Sequence, residues 1–190
     1  MLISMLAQQP QMLPTILQHT PVWVWGMLAA LIALGLSQVR DRTAGLPRVA
    51  LLPVAMISLS IWGAVTAFGQ SPLFGNVMLA WAAAAAIAFV GVVSLGVPRG
   101  AAYDAGTRTF ALPGSWLPLV LILAVFLTRY VVNVDVAMNP ALARDGSYTL
   151  VAATLYGLFS GVFAGRAARL WLLVRRTAAA VPAQAVATNA

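Results

Sequence analysis

The sequence of 190 residues has no cysteine, no lysine and no glutamate, and its only histidine is His19. Without cysteine the chain cannot form a disulfide, a thiolate metal site, a cysteine nucleophile or a covalent haem link. One imidazole and four aspartates do not supply the three or four ligands that a zinc or di-iron site takes from one chain. The sequence therefore predicts neither a metal site nor a cofactor.

Catalytic motifs are absent as well. No Ser/His/Asp spacing, no paired glutamates and no glycine-rich phosphate loop occur in the sequence. We therefore expect no catalytic residue and no enzyme activity. A membrane enzyme is the third hypothesis, and only Arg129, Tyr130 and Asp135 would offer it any chemistry.

Charged residues make up only 8% of the chain and hydrophobic residues 62%. A typical soluble domain has about 25% charged residues, so this composition excludes an ordinary soluble fold. The net charge of +7 comes from arginines that are dispersed along the chain and form no basic run. We therefore expect membrane lipid as a partner, other membrane proteins as candidate partners, and no nucleic acid.

Five apolar segments are long enough to cross a bilayer, which takes about 20 residues. Prolines and glycines delimit them, as in Thr20-Pro21 before the first segment and Pro98 after the third. The sequence predicts an all-α integral membrane protein, a bundle of five transmembrane helices. The predicted spans are about 22–39, 48–68, 73–97, 115–134 and 148–173.

The arginines predict the orientation of this bundle, because cytoplasmic loops of membrane proteins are enriched in basic residues. Eight of them fall in the first loop, the third loop or the C-terminal end: Arg40, Arg42, Arg48, Arg99, Arg108, Arg169, Arg175 and Arg176. The N-terminal segment and the second loop have none, and Arg144 in the fourth loop is offset by Asp145. We expect the N-terminus outside and the C-terminus in the cytoplasm, in a bacterial inner membrane.

The segments outside the spans differ in character. Residues 1–19 are predicted to form an N-terminal surface segment; the alternative is a cleaved signal peptide, but its first residues lack the positive charge this requires. Residues 20–176 form the five-span membrane domain, and residues 177–190 are predicted to be a disordered cytoplasmic tail. Within residues 101–110, an Asp-Ala-Gly turn between strand-forming residues predicts a small cytoplasmic β-hairpin.

Arg129 is the leading candidate for a functional residue, because an ionisable side chain inside a span marks a functional site by default. It lies twelve residues after Leu117, roughly 18 Å along the helix. The alternative is a structural anchor, in which the arginine extends to the headgroups near the helix C-terminus. Asn133, one turn on, and Asp135, beyond the predicted helix end, are its candidate partners.

Other polar residues fall at a similar depth, on the outer side of the predicted bundle. With Arg129 they could line an outward-facing cavity for an anionic or zwitterionic ligand. The interpretation we favour is hydrogen bonding between helices, the common use of such groups in membranes. The candidate ligand-binding set is Arg129, Asn133, Asn76, Tyr156 and Asp135, and Thr20, Thr66, Gln70 and Thr154 share the depth.

Two further patterns concern the fifth predicted span. Arg166 is expected to join a cytoplasmic basic collar facing anionic lipid, although it could instead pair with Asp41 or Asp104. The collar consists of Arg40, Arg42, Arg48, Arg166, Arg169, Arg175 and Arg176. A small-residue stripe (Ala153, Gly157, Gly161 and Gly165) predicts close helix packing, for which alanines 80, 84 and 88 offer a matching face.

Several stretches resemble CcdC-like bacterial membrane proteins and a related group of inner-membrane proteins with a domain of unknown function. They are Val39-Arg40, residues 48–53, Asp104-Ala105-Gly106, residues 127–130 and residues 161–166. The resemblance covers roughly residues 22–176 and implies a five-span topology with the hairpin in the cytoplasm. It implies no activity.

Two functions remain open. The first is a non-catalytic structural or assembly partner in the bacterial inner membrane. The second is a small-solute transporter or binding protein that uses the cavity around Arg129.

Overall fold

The computed structural model describes residues 14, 18, 20–98 and 100–188, with no side-chain description for residues 48, 52 and 176–188. The predicted surface segment 1–19 therefore lies almost wholly outside the described residues. The elements in chain order are α1 (Val22–Leu36), β1 (Arg42–Gly45), α2 (Leu46–Phe68), α3 (Phe74–Ser94), β2 (Ala102–Asp104), β3 (Thr109–Leu112), α4 (Leu117–Met138), a 3-10 helix (Pro140–Arg144) and α5 (Gly146–Thr188).

Four helices in the described part of the chain are long and apolar enough to cross a membrane, namely α2, α3, α4 and α5. They coincide with the second to fifth predicted spans. The first predicted span is different, because α1 has only 15 residues. At 1.5 Å per residue, α1 is about 22 Å long, whereas the hydrocarbon layer is about 30 Å thick.

Helix α5 packs against α3 along the small-residue stripe. A Cβ atom at Gly157 would overlap the carbonyl oxygen of Trp81, and one at Gly161 would overlap that of Ala85. The same two Cβ atoms would lie 2.9 Å and 2.8 Å from the Cβ atoms of Ala84 and Ala88. Only glycine, whose side chain is a single hydrogen atom, allows two helix backbones to approach this closely. The predicted close packing is confirmed, and it lies inside one chain.

The core lies where α2, α3, α4 and α5 meet. One buried cluster comprises Ala64, Phe68, Val77, Val132, Ala152, Ala153 and Tyr156. A second, nearer the other end of α4, comprises Met56, Ile122, Val125 and Phe163. The outer faces of the helices carry exposed large apolar side chains, as expected for surfaces that contact lipid.

The β-sheet has three antiparallel strands in the order β1-β3-β2. The predicted hairpin is present as β2 and β3, but β3 extends past residue 110 to Leu112. Strand β1 was not predicted from the sequence, and it pairs with β3 from Arg42 opposite Leu112 to Gly45 opposite Thr109. Phe110, with no exposed surface, anchors the sheet.

The hairpin turn is held by Asp104. Its carboxylate accepts hydrogen bonds from the Thr107 hydroxyl and the Gly106 backbone N–H, both at 2.8 Å. These bonds favour the ionised form, so they lower the pKa of Asp104 below its ordinary value of 3.8, the Thr107 bond having the largest effect. The turn therefore stabilises the ionised carboxylate of Asp104.

Strand pairing also decides which connections share one end of the bundle. Because β1 precedes α2 and β3 follows α3, their pairing brings the α1–α2 and α3–α4 connections to the same end. Arg169 of α5 donates a hydrogen bond from Nε to the carbonyl oxygen of Gly96, just beyond α3. We call this the sheet end; the α2–α3 connection and the 3-10 helix form the opposite end.

Helix α5 is longer than its predicted span. Its backbone is helical through Thr188, which includes most of the tail for which we expected disorder. Alanine has the highest helix propensity, and residues 178–180 continue the helix as three alanines.

Candidate functional site

Arg129 lies near the middle of α4. It is twelve residues from Leu117 and nine from Met138, or roughly 18 Å and 14 Å along the helix axis. The helix extends beyond the predicted end at residue 134, so the last helical turn is farther from Arg129 than the anchor interpretation assumed. Arg129 is therefore a half-buried cation in the middle of a candidate span.

The guanidinium group borders a narrow cleft between α2, α4 and α5. The cleft encloses about 230 Å³, part of it open to the outside, and it has no room for a water molecule. Apolar side chains form most of its wall. Its lining residues are Met56, Ser60, Val125, Arg129, Tyr156, Phe159, Ser160 and Phe163.

Gly63 of α2 makes space for the arginine. A Cβ atom at Gly63 would lie 2.9 Å from Nε of Arg129 and 3.2 Å from its Cζ. Any larger residue at this position would displace the guanidinium group. The position of the Arg129 side chain therefore depends on a glycine from a different helix.

The two serines of the cleft have partners. Ser60 Oγ donates to the Tyr156 carbonyl oxygen at 3.1 Å and accepts from Nε1 of Trp81 at 3.0 Å. Ser160 Oγ donates to the same Tyr156 carbonyl oxygen at 2.8 Å. These bonds tie α2, α3 and α5 together, so the serines are explained by helix packing.

Two polar groups of the cleft remain without a partner in the described part of the chain. No described residue forms a hydrogen bond or ion pair with the guanidinium group of Arg129, and none accepts from the Tyr156 hydroxyl, although Tyr156 is only 2% exposed. An unpaired buried donor is costly, especially when it is charged. Neither donor therefore has an acceptor among the described groups of residues 20–98 and 100–175.

The other predicted site residues are not at this cleft. Asn133 is exposed, and its Nδ2 donates to the backbone carbonyl oxygen of Arg129 at 2.8 Å, not to the guanidinium group. The expectation that Asp135 lies beyond the helix end is wrong: it is inside α4, buried, and accepts from the Tyr148 hydroxyl at 3.1 Å. Asn76 is exposed near the start of α3.

Some of the remaining polar residues bond between helices, as the favoured interpretation expects. The hydroxyls of Thr20 and Tyr130 lie 2.7 Å apart and connect the start of α1 to the middle of α4. Thr66 instead donates to the carbonyl oxygen of Trp62 in its own helix. The polar residues of similar depth therefore do not line one cavity.

Three arginines of the predicted collar, Arg42, Arg166 and Arg169, belong to elements that reach the sheet end. Arg166 lies within electrostatic range of Arg169 and Arg42. Arg40 and Arg175 are exposed, and the structure describes no side chain for Arg48 or Arg176. Asp41 and Asp104, the alternative partners of Arg166, bond instead to the backbone N–H groups of Gly114 and Gly106.

Sequence reasoning found Arg129 by its depth but missed Gly63, Ser60 and Ser160. A glycine in the interior of a predicted span is a signal that could have pointed to Gly63. Nothing in the sequence distinguishes the two serines from others in the spans. Among the described residues, no group of three or more metal-ligating side chains occurs.

Comparison with known proteins identifies the family of the chain. The model of DUF6622, a family of unknown function, matches residues 1–184. No curated protein and no solved structure matches the chain.

Proposed function

Because the chain belongs to DUF6622, a family of unknown function, its role has to be inferred from the site, and we propose that it is a non-catalytic assembly partner of another membrane protein. Arg129 is the contact residue. Its guanidinium group binds a carboxylate from a membrane-spanning helix of that protein.

The observation that carries this proposal is the unpaired cation in the middle of α4. A charged side chain at this depth costs at least about 2.5 kcal/mol, and such residues usually pair with another charged group or line a water-filled cavity. The cleft beside Arg129 has no room for water. A carboxylate from a second chain would therefore pair with the guanidinium group of Arg129. That pairing would offset the free-energy cost of the charge, which no described residue of this chain offsets.

Substitution of Arg129 tests this proposal. The complex is captured from native membranes with mild detergent, and its mass is measured on a native gel. Arg129→Gln should dissociate it, and Arg129→Lys should keep part of it, because lysine retains the charge but not the two-pronged geometry. Arg144→Gln, which removes an exposed arginine at the opposite end, is the matched control and should leave the complex intact.

The decisive experiment exchanges the charges of Arg129 and of its partner residue in the other protein. The other protein must have an aspartate or glutamate within a membrane span, and changing that residue to arginine should restore the complex with Arg129→Asp. A partner without an acidic residue in any span would refute the proposal. So would a complex that Arg129→Gln leaves as stable as that of the wild type.

A second candidate is binding of a small anionic solute at the same cleft, as a binding protein or transporter, in a conformation in which α2, α4 and α5 have moved apart to make room for it. The specific observation in its favour is the unpartnered hydroxyl of Tyr156, which could donate to the same anion as Arg129. Stabilisation of the purified protein by small carboxylates or phosphate, lost in Tyr156→Phe, would favour this function. Stabilisation that Tyr156→Phe does not reduce would oppose it.

The finer features of the membrane placement belong to the proposal as well. We place the protein in a bacterial inner membrane with five spans, the N-terminus outside and the sheet end in the cytoplasm, which is the topology inferred from the sequence. The grouping of arginines at the sheet end supports this orientation.

A further inference from the structure

Gly63 of α2 is the residue against which the guanidinium group of Arg129 packs. A Cβ atom at Gly63 would lie 2.9 Å from Nε, 3.2 Å from Cζ and 3.3 Å from Nη2 of Arg129. Unbonded heavy atoms pack best at about 3.5–4.0 Å, so all three distances are too short for a side chain larger than hydrogen. The backbone of α2 at Gly63 is therefore in direct contact with the guanidinium group.

The three distances also show how the planar guanidinium group is oriented. Cζ lies behind the line that joins Nε and Nη2. An atom in the plane beyond this edge, at 2.9 Å and 3.3 Å from the two nitrogens, would be farther from Cζ than from either of them. The Cβ position at Gly63 is nearer to Cζ than to Nη2. It therefore lies out of the plane, over one flat face of the group.

This orientation leaves the donors of Arg129 uncovered by Gly63. The five N–H groups of a guanidinium group point outward in its plane, whereas Gly63 covers a face. A carboxylate binds arginine in that same plane, with two parallel N–H···O bonds. The contact with Gly63 therefore fixes the plane in which an acceptor has to approach.

Hydrogen bonds hold α2 in register at this level of the bundle. Ser60 precedes Gly63 by about one helical turn. Its Oγ donates to the carbonyl oxygen of Tyr156 in α5 at 3.1 Å and accepts from Nε1 of Trp81 in α3 at 3.0 Å. The surface on which the guanidinium group lies is therefore tied to two other helices.

We infer that Gly63 is a positioning residue for the assembly contact: it sets the plane of the Arg129 guanidinium group so that a carboxylate of the partner protein receives two parallel hydrogen bonds. This inference rests on the proposed assembly role of Arg129. It adds that the contact depends on a residue of α2 that does not itself touch the partner's carboxylate.

The first test uses the isolated chain and the variant Gly63→Ala. The new methyl group would meet the far end of a flexible side chain, so the guanidinium group moves and the helices do not. Alanine also favours the helix. The midpoint of thermal unfolding should therefore not fall, whereas the NMR signal of the Arg129 Nε–H group, assigned by its loss in Arg129→Gln, should shift.

Gly91→Ala is the matched control, because a Cβ atom at Gly91 would meet nothing within 4 Å. It should leave the Arg129 signal in place. A signal that Gly63→Ala does not shift would overturn the inference, whatever the complex shows.

The second test uses the complex captured from native membranes and measures the dilution at which half of it dissociates. Gly63→Ala should weaken the complex by about tenfold, the loss expected for one charge-assisted hydrogen bond. Lysine has no plane to orient. In the Arg129→Lys chain, Gly63→Ala should therefore weaken the complex by at most about threefold, since effects of residues that act through each other are not additive. Equal losses in the two chains would give Gly63 a merely structural role and overturn the inference.

The failure of this inference differs from the failure of the assembly role. A complex that survives Arg129→Gln would refute the assembly role and the inference with it. A complex that Arg129→Gln dissociates but Gly63→Ala leaves unchanged would overturn the inference alone.

If Gly63→Ala does not fold, the combination of Gly63→Ala with Arg129→Leu decides the question. Leucine has no atoms at the positions of Nε and Cζ, so the methyl group then has room and the double variant should fold. A double variant that also fails to fold would show that the methyl group meets something other than Arg129, and it would overturn the inference.

Discussion

The contact between α3 and α5 gives the sharpest stability prediction. In Gly161→Ala the new methyl group overlaps the carbonyl oxygen of Ala85 and lies 2.8 Å from the Cβ atom of Ala88. A backbone oxygen cannot rotate away, so the two helices must separate. Overpacking of this kind costs about 1–3 kcal/mol, and the gain from replacing glycine in a helix offsets about 0.5–1 kcal/mol of it.

We therefore expect Gly161→Ala to lower the free energy of unfolding by about 1 kcal/mol, the difference between the middle values of these two ranges, which is a factor of roughly 5 in the equilibrium constant. Gly91→Ala is the matched control, since a Cβ at Gly91 of α3 would meet nothing within 4 Å. It should raise stability by about 0.5–1 kcal/mol, through the backbone effect alone.

Unfolding in mixed micelles, followed by tryptophan fluorescence, measures both variants against the wild type. The packing argument requires opposite signs for the two glycine substitutions. If Gly161→Ala is as stable as Gly91→Ala, the two backbones are not in the contact described, and the reasoning is refuted.

Two further predictions concern the connections between helices. The Asp104 carboxylate should have a pKa below 3.8, and Thr107→Ala should raise this pKa toward 3.8, as an NMR titration of the carboxyl carbon can show. Because folding lowers the pKa of Asp104, the ionised carboxylate stabilises the turn at pH values above 3.8. This stability is lost as the pH falls through the pKa of the folded state. An unchanged pKa in the variant would contradict the role of Thr107. Since the chain has no cysteine, Ala105→Cys at the sheet end and Ser147→Cys at the opposite end can be labelled singly in intact cells with an impermeant maleimide. The proposed orientation predicts labelling of Ser147→Cys alone, and labelling of Ala105→Cys alone would reverse it.

Sequence patterns predicted the long helices well because their signals are local. Apolar runs of about 20 residues between prolines and glycines define α2, α3 and α4 to within a few residues. The stripe at Gly157 and Gly161 likewise predicted a close helix contact, since small residues four apart share one helix face. These features depend on neighbours in the sequence.

Features that depend on distant residues were not predictable. Strand β1 is four residues long, without alternation, and it forms only because β3 lies beside it, more than 60 residues later. Grouping polar residues by depth placed Asn76 and Asp135 with Arg129, but depth does not fix which face of a helix a residue occupies. Packing among several helices determines which groups bond to Ser60. It also leaves the buried hydroxyl of Tyr156 without a described partner.

The central claim is that Arg129 has no acceptor within the described part of its own chain and serves a contact with another molecule. The free energy of unfolding of the isolated protein tests it most directly, with Arg129→Met chosen to keep the length of the side chain. We predict that this variant is at least as stable as the wild type, because replacing an unpaired charge by an apolar side chain leaves no buried charge behind. A loss of about 3 kcal/mol or more, the usual cost of breaking a buried ion pair, would contradict the account.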